Sequence, residues 1–270
     1  MIRFPNAKIN LGLRVLNARD DGYHNLESIM YPVNIQDALE IIIKPSAPFS
    51  FTATGMEVPG NPDENICVRA YNLMKQKYDL PEIIMHLHKV IPMGAGLGGG
   101  SSDAASAVVM LNEYFRLGLE KDALKELALS LGSDCPFFIE NRPALATGRG
   151  EILAPLSLSL QPFHIQVIKP PVHINTKVAY SVINPKGYST SLEGLIQLPL
   201  AQWRYHIFND FEEYAFRQFP LLSSIKNKLY EHGALYASLT GSGSAIFGIF
   251  ESETDPDPGF RDYFTWAGQL

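Results

Sequence analysis

Apolar and polar residues alternate with a period of two along several stretches of this chain and recur every three or four residues along others. Strands and helices are therefore both expected. From Ala7 to Val15, the residues Ile9, Leu11, Leu13 and Val15 share one strand face, and Lys8, Asn10, Gly12 and Arg14 share the other. That polar face reads either as a solvated surface or as side chains gathered for chemistry. A second run, 83–91, sets Ile84, His86, His88 and Val90 opposite Ile83, Met85, Leu87 and Lys89. Helical spacing at Ile66, Ala70, Leu73 and Met74 predicts a helix ending near Tyr78, capped by the polar loop 61–65. The same spacing at Ala104, Val108, Leu111 and Phe115 predicts a helix over 102–117 with Ser101 or Ser102 as its N-cap. A further helix, 121–131, is expected to close on Gly132 at its C′ position.

The turn Asp20-Asp21-Gly22 delivers Tyr23 and His24 to a strand over Glu27 to Val33. Residues 37–53 read as two strands around a turn at Pro45–Pro48. Phe137-Phe138-Ile139, after Asp134 and Pro136, reads as a strand, and short strands recur from Ala144 to Lys169, broken at Thr147–Glu151. Pro170-Pro171 reads as the crossing into a second lobe, followed by a helix from Thr176 capped by Asn175 or Thr176. Helices around 211–217 and 221–231 precede two strands that flank Thr240-Gly241-Ser242-Gly243-Ser244. Residues 185–200 receive no element, and the tail from Phe260 to Trp266 is expected to be peripheral.

Between the second alternating run and its helix lies Pro92 to Ala105, a glycine-rich loop that can turn its own N–H groups inward toward a phosphate. Strand, glycine loop and helix N-terminus together favour an anion. Gly94, Gly96 and Gly99 formally satisfy G-x-G-x-x-G, but a dinucleotide fold needs a second strand after the helix, and a helical pattern follows instead. A Walker A loop needs a terminal Gly-Lys-Ser/Thr, and none is present. A merely flexible loop leaves unexplained why Ser101-Ser102-Asp103-Ala104-Ala105 are all small.

The 270 residues, 46% hydrophobic and 19% charged, suffice for a sizeable core, read here as two lobes. A net charge of −6 with scattered basic residues gives no footprint for a nucleic-acid backbone. Two cysteines, Cys67 and Cys135, make no disulfide framework, and no apolar run approaches the roughly 20 residues of a membrane span. With no N-terminal signal pattern, a cytoplasmic protein without membrane or nucleic-acid partners is expected.

Pro92-x-x-x-Gly96-Leu97-Gly98-Gly99-Gly100-Ser101-Ser102 and the later Gly241-Ser242-Gly243-Ser244 resemble the second and third motifs of the GHMP kinase superfamily. Ala7-Lys8-Ile9-Asn10-Leu11, Asp21-Gly22-Tyr23-His24, Gly96 to Ala105 and Gly132-Ser133-Asp134-x-Pro136 narrow the resemblance. They look like the family that phosphorylates 4-diphosphocytidyl-2-C-methyl-D-erythritol in the non-mevalonate isoprenoid pathway. The resemblance covers about residues 3 to 250 and implies an α+β, two-lobed GHMP kinase fold. Residues 1–155 would form a ribosomal-protein-S5-domain-2-like, ATP-binding lobe, and residues 156–270 a C-terminal α/β sandwich lobe.

By the same resemblance Asp134 is the base for the acceptor's 2-hydroxyl, with Lys8 beside it keeping the carboxylate ionised. Asn10 is implied as a ligand to the acceptor or to Asp134. Tyr23 and Tyr180 are implied to stack a cytosine whose edge His24 reads, with Thr176 also on the substrate side. Asn65 and Lys89 are implied at the adenine and ribose of ATP. Pro92, Gly94, Gly96, Leu97, Gly98, Gly99, Gly100, Ser101 and Ser102 are implied around its phosphates, and Gly241, Ser242 and Gly243 complete the third motif. Magnesium (Mg2+) is expected between the phosphates without an all-protein cage, and Asp103 reads either as approaching the metal or as favouring the helix N-terminus. The resemblance implies a monomer or weak homodimer.

Overall fold

The structure is a computed structural model that describes residues 1–44 and 47–270. In chain order the first elements are β1 (Ile2–Arg3), β2 (Asn6–Ala18), β3 (His24–Gln36), β4 (Ala38–Ile43), β5 (Ser50–Gly55), α1 (Ile66–Tyr78) and β6 (Ile83–Lys89). Next come α2 (Gly99–Tyr114), α3 (Lys121–Leu131), α4 (Cys135–Glu140), β7 (Ala144–Thr147), β8 (Ile152–Pro155), β9 (His164–Lys169) and α5 (Thr176–Val182). The chain ends with α6 (Leu192–Leu195), α7 (Leu200–His206), α8 (Phe211–Gln218), α9 (Pro220–Glu231), β10 (Tyr236–Leu239), β11 (Ile246–Phe250) and β12 (Phe264–Gln269). Among the described residues, no helix is long and apolar enough to cross a membrane.

Two compact units emerge, each assembled from separated stretches. The first holds Met1–Ala7, Ile35–Met93 and Gly98–Arg142, and the second Lys8–Asn34, Gly94–Leu97 and Pro143–Leu270.

In the first unit a sheet runs β1-β4-β6-β5, with β4 antiparallel and β5 parallel to β6. Its inward residues Leu39, Ile41, Met85 and Leu87 pack with Tyr71 and Met74 of α1, Val108 and Leu111 of α2, and Leu127 of α3. The two strands expected within 37–53 exist but do not pair with each other: β6 lies between them. With Ile83, Met85 and Leu87 buried in strict alternation, β6 is the strand best suited to the centre. The turn expected at 45–48 begins on Pro45 and Ser46, outside the described residues.

The expectations for residues 137–139 and for Gly132 are also corrected in this unit. Residues 137–139 are helical, within α4, because Pro136 sits at the start of a helix, where its missing N–H and fixed φ suit the first turn. Gly132 does end α3, but at φ 176 it is extended backbone and not a left-handed cap.

In the second unit one sheet runs β2-β3-β7-β8 and another β10-β11-β9-β12. The latter packs Leu239, Ile246 and Ile168 with Phe211 and Ala215 of α8 and Leu222, Ile225 and Leu229 of α9. The aromatic tail is not peripheral: β12 pairs with β9 over six positions, Trp266 opposite Val167, and Phe260 is buried. That sheet also begins at β9, before Pro170. The unassigned stretch 185–200 contains α6 and the start of α7. Both faces of β2 are buried, since Lys8, Asn10 and Arg14 are 3%, 1% and 4% exposed. Burial of so polar a face is tolerable only with partners for each group. Arg14, for instance, reaches Glu27 and the Thr190 carbonyl.

Candidate functional site

In the first unit, α2 begins one turn earlier than the sequence suggested. Gly98, left-handed at φ 71, is its N-cap, so Ser101 and Ser102 lie inside the first turn and do not cap it. A glycine cap offers no side-chain acceptor, and none bonds the first-turn amides. Those N–H groups and the positive end of a 16-residue helix suit an anionic phosphate. A Cβ at Gly100 would meet nothing closer than Ile66 Cγ2 at 3.9 Å, so space is open above the turn. At Gly99 a Cβ would come within 2.8 Å of Ile91 Cγ2 and 3.0 Å of Lys89 Nζ, so this glycine serves packing. Pro92 is buried as well.

Asn65 caps α1, its side-chain oxygen accepting from Cys67 N at 2.9 Å, and it is half-buried. Lys89 lies wholly inside the protein, its Nζ donating to Asp37 and to Asp103 Oδ2, the latter at 2.7 Å. Asp103 faces this lysine, so its carboxylate neither caps α2 nor projects to solvent. Burial pushes the Asp103 carboxyl up to about 7, against the pull of Lys89 and with a further push from Asp37. Burial works against the Lys89 ammonium, but the two carboxylates outweigh it and hold it above its usual range. Asp134 stands at the N-cap position of α4 with no capping hydrogen bond, half-buried. Burial pushes the thiol of the next residue, Cys135, up to about 12, so it stays neutral. Among the described residues no group of three His, Cys, Asp or Glu side chains could hold a metal ion.

In the second unit, Asn10 is a hub. Its Oδ1 accepts from Lys8 Nζ at 2.6 Å, from Gly241 N at 3.0 Å and from Thr240 Oγ1 at 3.3 Å, while its Nδ2 donates to Ser28 Oγ at 2.8 Å. Lys8 Nζ also donates to the Gly96 carbonyl at 3.1 Å, and Lys8 N to the Leu97 carbonyl at 2.9 Å. Lys8, Asn10, Gly96 and Gly241, drawn from three sequence motifs, therefore meet in one network. Gly96 at φ 77 has no room for a side chain, because a Cβ would lie 2.0 Å from the Thr240 carbonyl oxygen. Leu97 is core, whereas Gly94 is exposed near His173. Thr176 Oγ1 and Ser242 Oγ are 2.9 Å apart, followed by Gly243 at φ 97.

His24 and Tyr180 come together from 156 positions apart, with ring centroids 5.6 Å apart and planes inclined by 28°. Tyr180 also meets Phe211 edge-on at 4.8 Å. Tyr23 is 55% exposed, with the Arg149 guanidinium 4.9 Å from its ring centre. Sequence reasoning missed Thr240, Ser28, Asp37 and Arg149. A signal existed for Asp37, since Lys89 shares the inward face of β6 with Met85 and Leu87, where a cation demands a buried carboxylate.

Two family models match the chain: the GHMP kinases N terminal domain over residues 65–142 and the GHMP kinases C terminal domain over residues 194–262. A Parabacteroides distasonis protein named 4-diphosphocytidyl-2-C-methyl-D-erythritol kinase is 46% identical over 272 residues, covering 100% of both chains. One of the same name from Bacteroides thetaiotaomicron is 49% identical over 274 residues, again covering 100% of both. A solved structure of 4-(cytidine 5'-diphospho)-2C-methyl-D-erythritol kinase superposes with a TM-score of 0.79 at 32% identity, covering 99% of this chain and 98% of that one. Mevalonate kinase of Methanococcus jannaschii shares the fold at 12% identity, with a TM-score of 0.73, covering 100% of this chain and 98% of that one.

Proposed function

The chain belongs to the GHMP kinases, in the 4-diphosphocytidyl-2-C-methyl-D-erythritol kinase family, and on that premise we propose that it phosphorylates the 2-hydroxyl of 4-diphosphocytidyl-2-C-methyl-D-erythritol from ATP. Its place is then the non-mevalonate supply of isoprenoid precursors. The observation that carries the reading is full-length identity near one half with relatives of that name.

The residues suit the chemistry. Phosphoryl transfer asks a protein mainly for positioning and charge stabilisation, and the uncapped first-turn amides from Gly98 to Ser101 would receive phosphate oxygens. Magnesium would supply neutralising charge between phosphates, with oxygen ligands from phosphate and water. Asp134 takes the hydroxyl proton in this reading, and Lys8 supplies the cation that stabilises the developing negative charge. Asn10 orients Lys8, since its Oδ1 already accepts that ammonium. Tyr23, His24, Tyr180 and Thr176 form the acceptor side, the stacked His24 and Tyr180 rings giving a surface suited to a nucleobase. Asn65 lies toward the nucleotide, and Gly241 to Gly243 brace Gly96.

ADP release measured with a panel of acceptors tests the proposal. Turnover is expected with the cytidine diphosphate acceptor and not with mevalonate or homoserine. Equal turnover of an acceptor lacking a nucleobase would reduce the reading to an unspecified GHMP kinase.

A further inference from the structure

The glycine loop has two stems in the first unit, the end of β6 through Ile91 and the first turn of α2, and a buried ion cluster joins them. Asp37, in the one-residue gap between β3 and β4, uses Oδ1 to accept from the amides of Val90 at 2.6 Å and Ile91 at 2.8 Å. Its Oδ2 accepts from Lys89 Nζ, which also donates to Asp103 Oδ2 at 2.7 Å on the α2 stem. Side-chain exposure is 1% or less for Lys89 and Asp37 and 2% for Asp103, so none of them reaches a bound ligand from where it stands. The stems also touch directly, because Gly99 lets α2 approach Ile91 and Lys89 more closely than any side chain would permit. Apolar replacements for such a cluster commonly match or exceed its stability, so stability alone is weak grounds for its presence.

We propose that Asp37, Lys89 and Asp103 are positioning residues for nucleotide binding, a bracket that fixes the spacing of the two loop stems and hence the convergence of the amides from Gly98 to Ser101. The inference rests on the reading that this loop holds ATP. Asp37 immobilises the β6 stem through charge-assisted bonds to two amides, and Lys89 carries that constraint across to α2. The bracket is closed by an ion pair when Asp103 is charged and held by a weaker neutral bond when it is protonated. The groups facing Asp103 are Lys89 from β6, Asp37 from the β3–β4 connection, and Cys67 from α1, whose thiol burial pushes well up and keeps neutral. Closure therefore weakens as pH falls through about 7.

Asp103→Asn keeps the shape and deletes the charge. At about pH 8 it is expected to raise the KM for MgATP about fivefold, equivalent to about 1 kcal/mol, with acceptor KM and the unfolding midpoint close to wild type. The ratio of variant to wild-type ATP KM should shrink toward one at about pH 6, where wild type has lost the same charge. The nucleotide's own titration is common to both proteins and cancels. Lys89→Arg is the second variant, used if Asp103→Asn does not fold. Its larger planar head group, beside a Gly99 whose Cβ would already lie 3.0 Å from Lys89 Nζ, is expected to push on α2 and so to raise ATP KM alone. Wild-type protein that shows no ATP binding by calorimetry would remove the parent reading and this one with it. Wild-type binding, with ATP KM in the folded variant within about twofold of wild type at both pH values, would overturn the bracket alone.

Discussion

Asp134 and Lys8 hold similar sequence credentials but sit in different settings. Asp134 precedes the short helix α4 at its N-cap without making the capping bond common for aspartate there. Lys8 is almost fully buried and anchored through Asn10 and Gly96. In the proposed role of general base, Asp134→Asn is expected to lower kcat by about a hundredfold or more, the scale of a lost general base, while ATP affinity by calorimetry stays near wild type. Near-normal turnover in that variant would take Asp134 out of the reaction. Lys8→Ala differs, because it also strips Asn10 of a partner and leaves a cavity, so it should lose stability along with rate. The alternation of Ile9, Leu11 and Val15 made Lys8 and Asn10 legible as neighbours on one face. It could not show that the face is buried, because period two reports sidedness and not what lies on the far side. Thr240 stayed invisible for a related reason, since its contacts reach Asn10 from 230 positions away.

Among the elements, α2 has bounds that its apolar stripe does not mark. Its buried set includes Ser102, Asp103, Ala104, Ala105, Ala107, Val108, Met110 and Leu111, which is burial on most sides of the helix and not along one stripe. The stripe alone places the start three residues late, at 102 and not at Gly99. Strand β12 is not legible in the sequence, because an edge strand is held by backbone pairing with β9, and Thr265, Trp266 and Ala267 carry no apolar alternation to announce it. The loop glycines also separate by element. Gly98 needs its left-handed φ, and Gly99 is tight against Ile91, so bulk at either position disturbs the fold before it can report on a ligand. Gly100 is helical with open space around it. Gly100→Ala should raise stability by up to about 1 kcal/mol through helix propensity, yet weaken ATP binding by placing a methyl group where phosphate approaches. Opposite signs in denaturant unfolding and calorimetry are expected. A variant stabilised with unchanged ATP affinity would show that phosphate does not pass over this turn.

For the whole molecule, the mixed α+β class and most elements follow from period and turn chemistry, while the buried ion cluster shows itself only through its cost to an inward-facing lysine. That cluster also leaves a mark on global stability. The Asp103 carboxyl stands at about 7 in the fold, against about 4 for an unfolded aspartate. Between those values the folded chain holds a proton that the unfolded chain has released. The contribution from this group is thus complete below about pH 4, declines as pH rises toward about 7, and is constant above that. Four carboxylates work in the opposite direction: Asp21 and Glu82 are lowered chiefly by hydrogen bonds from Arg19 and Lys75, Glu140 by Lys125, and Asp257 by the Gly259 amide. Their stabilisation is present above their unfolded values and lost as pH falls, so the raw stability curve mixes both trends. Subtracting the curve of Asp103→Asn removes them, because they are common to both proteins. The wild-type minus variant difference in unfolding free energy, from urea titrations, should decrease with rising pH from about 4 to about 7 and then level off. Parallel curves across that window would mean that Asp103 does not change its protonation on folding.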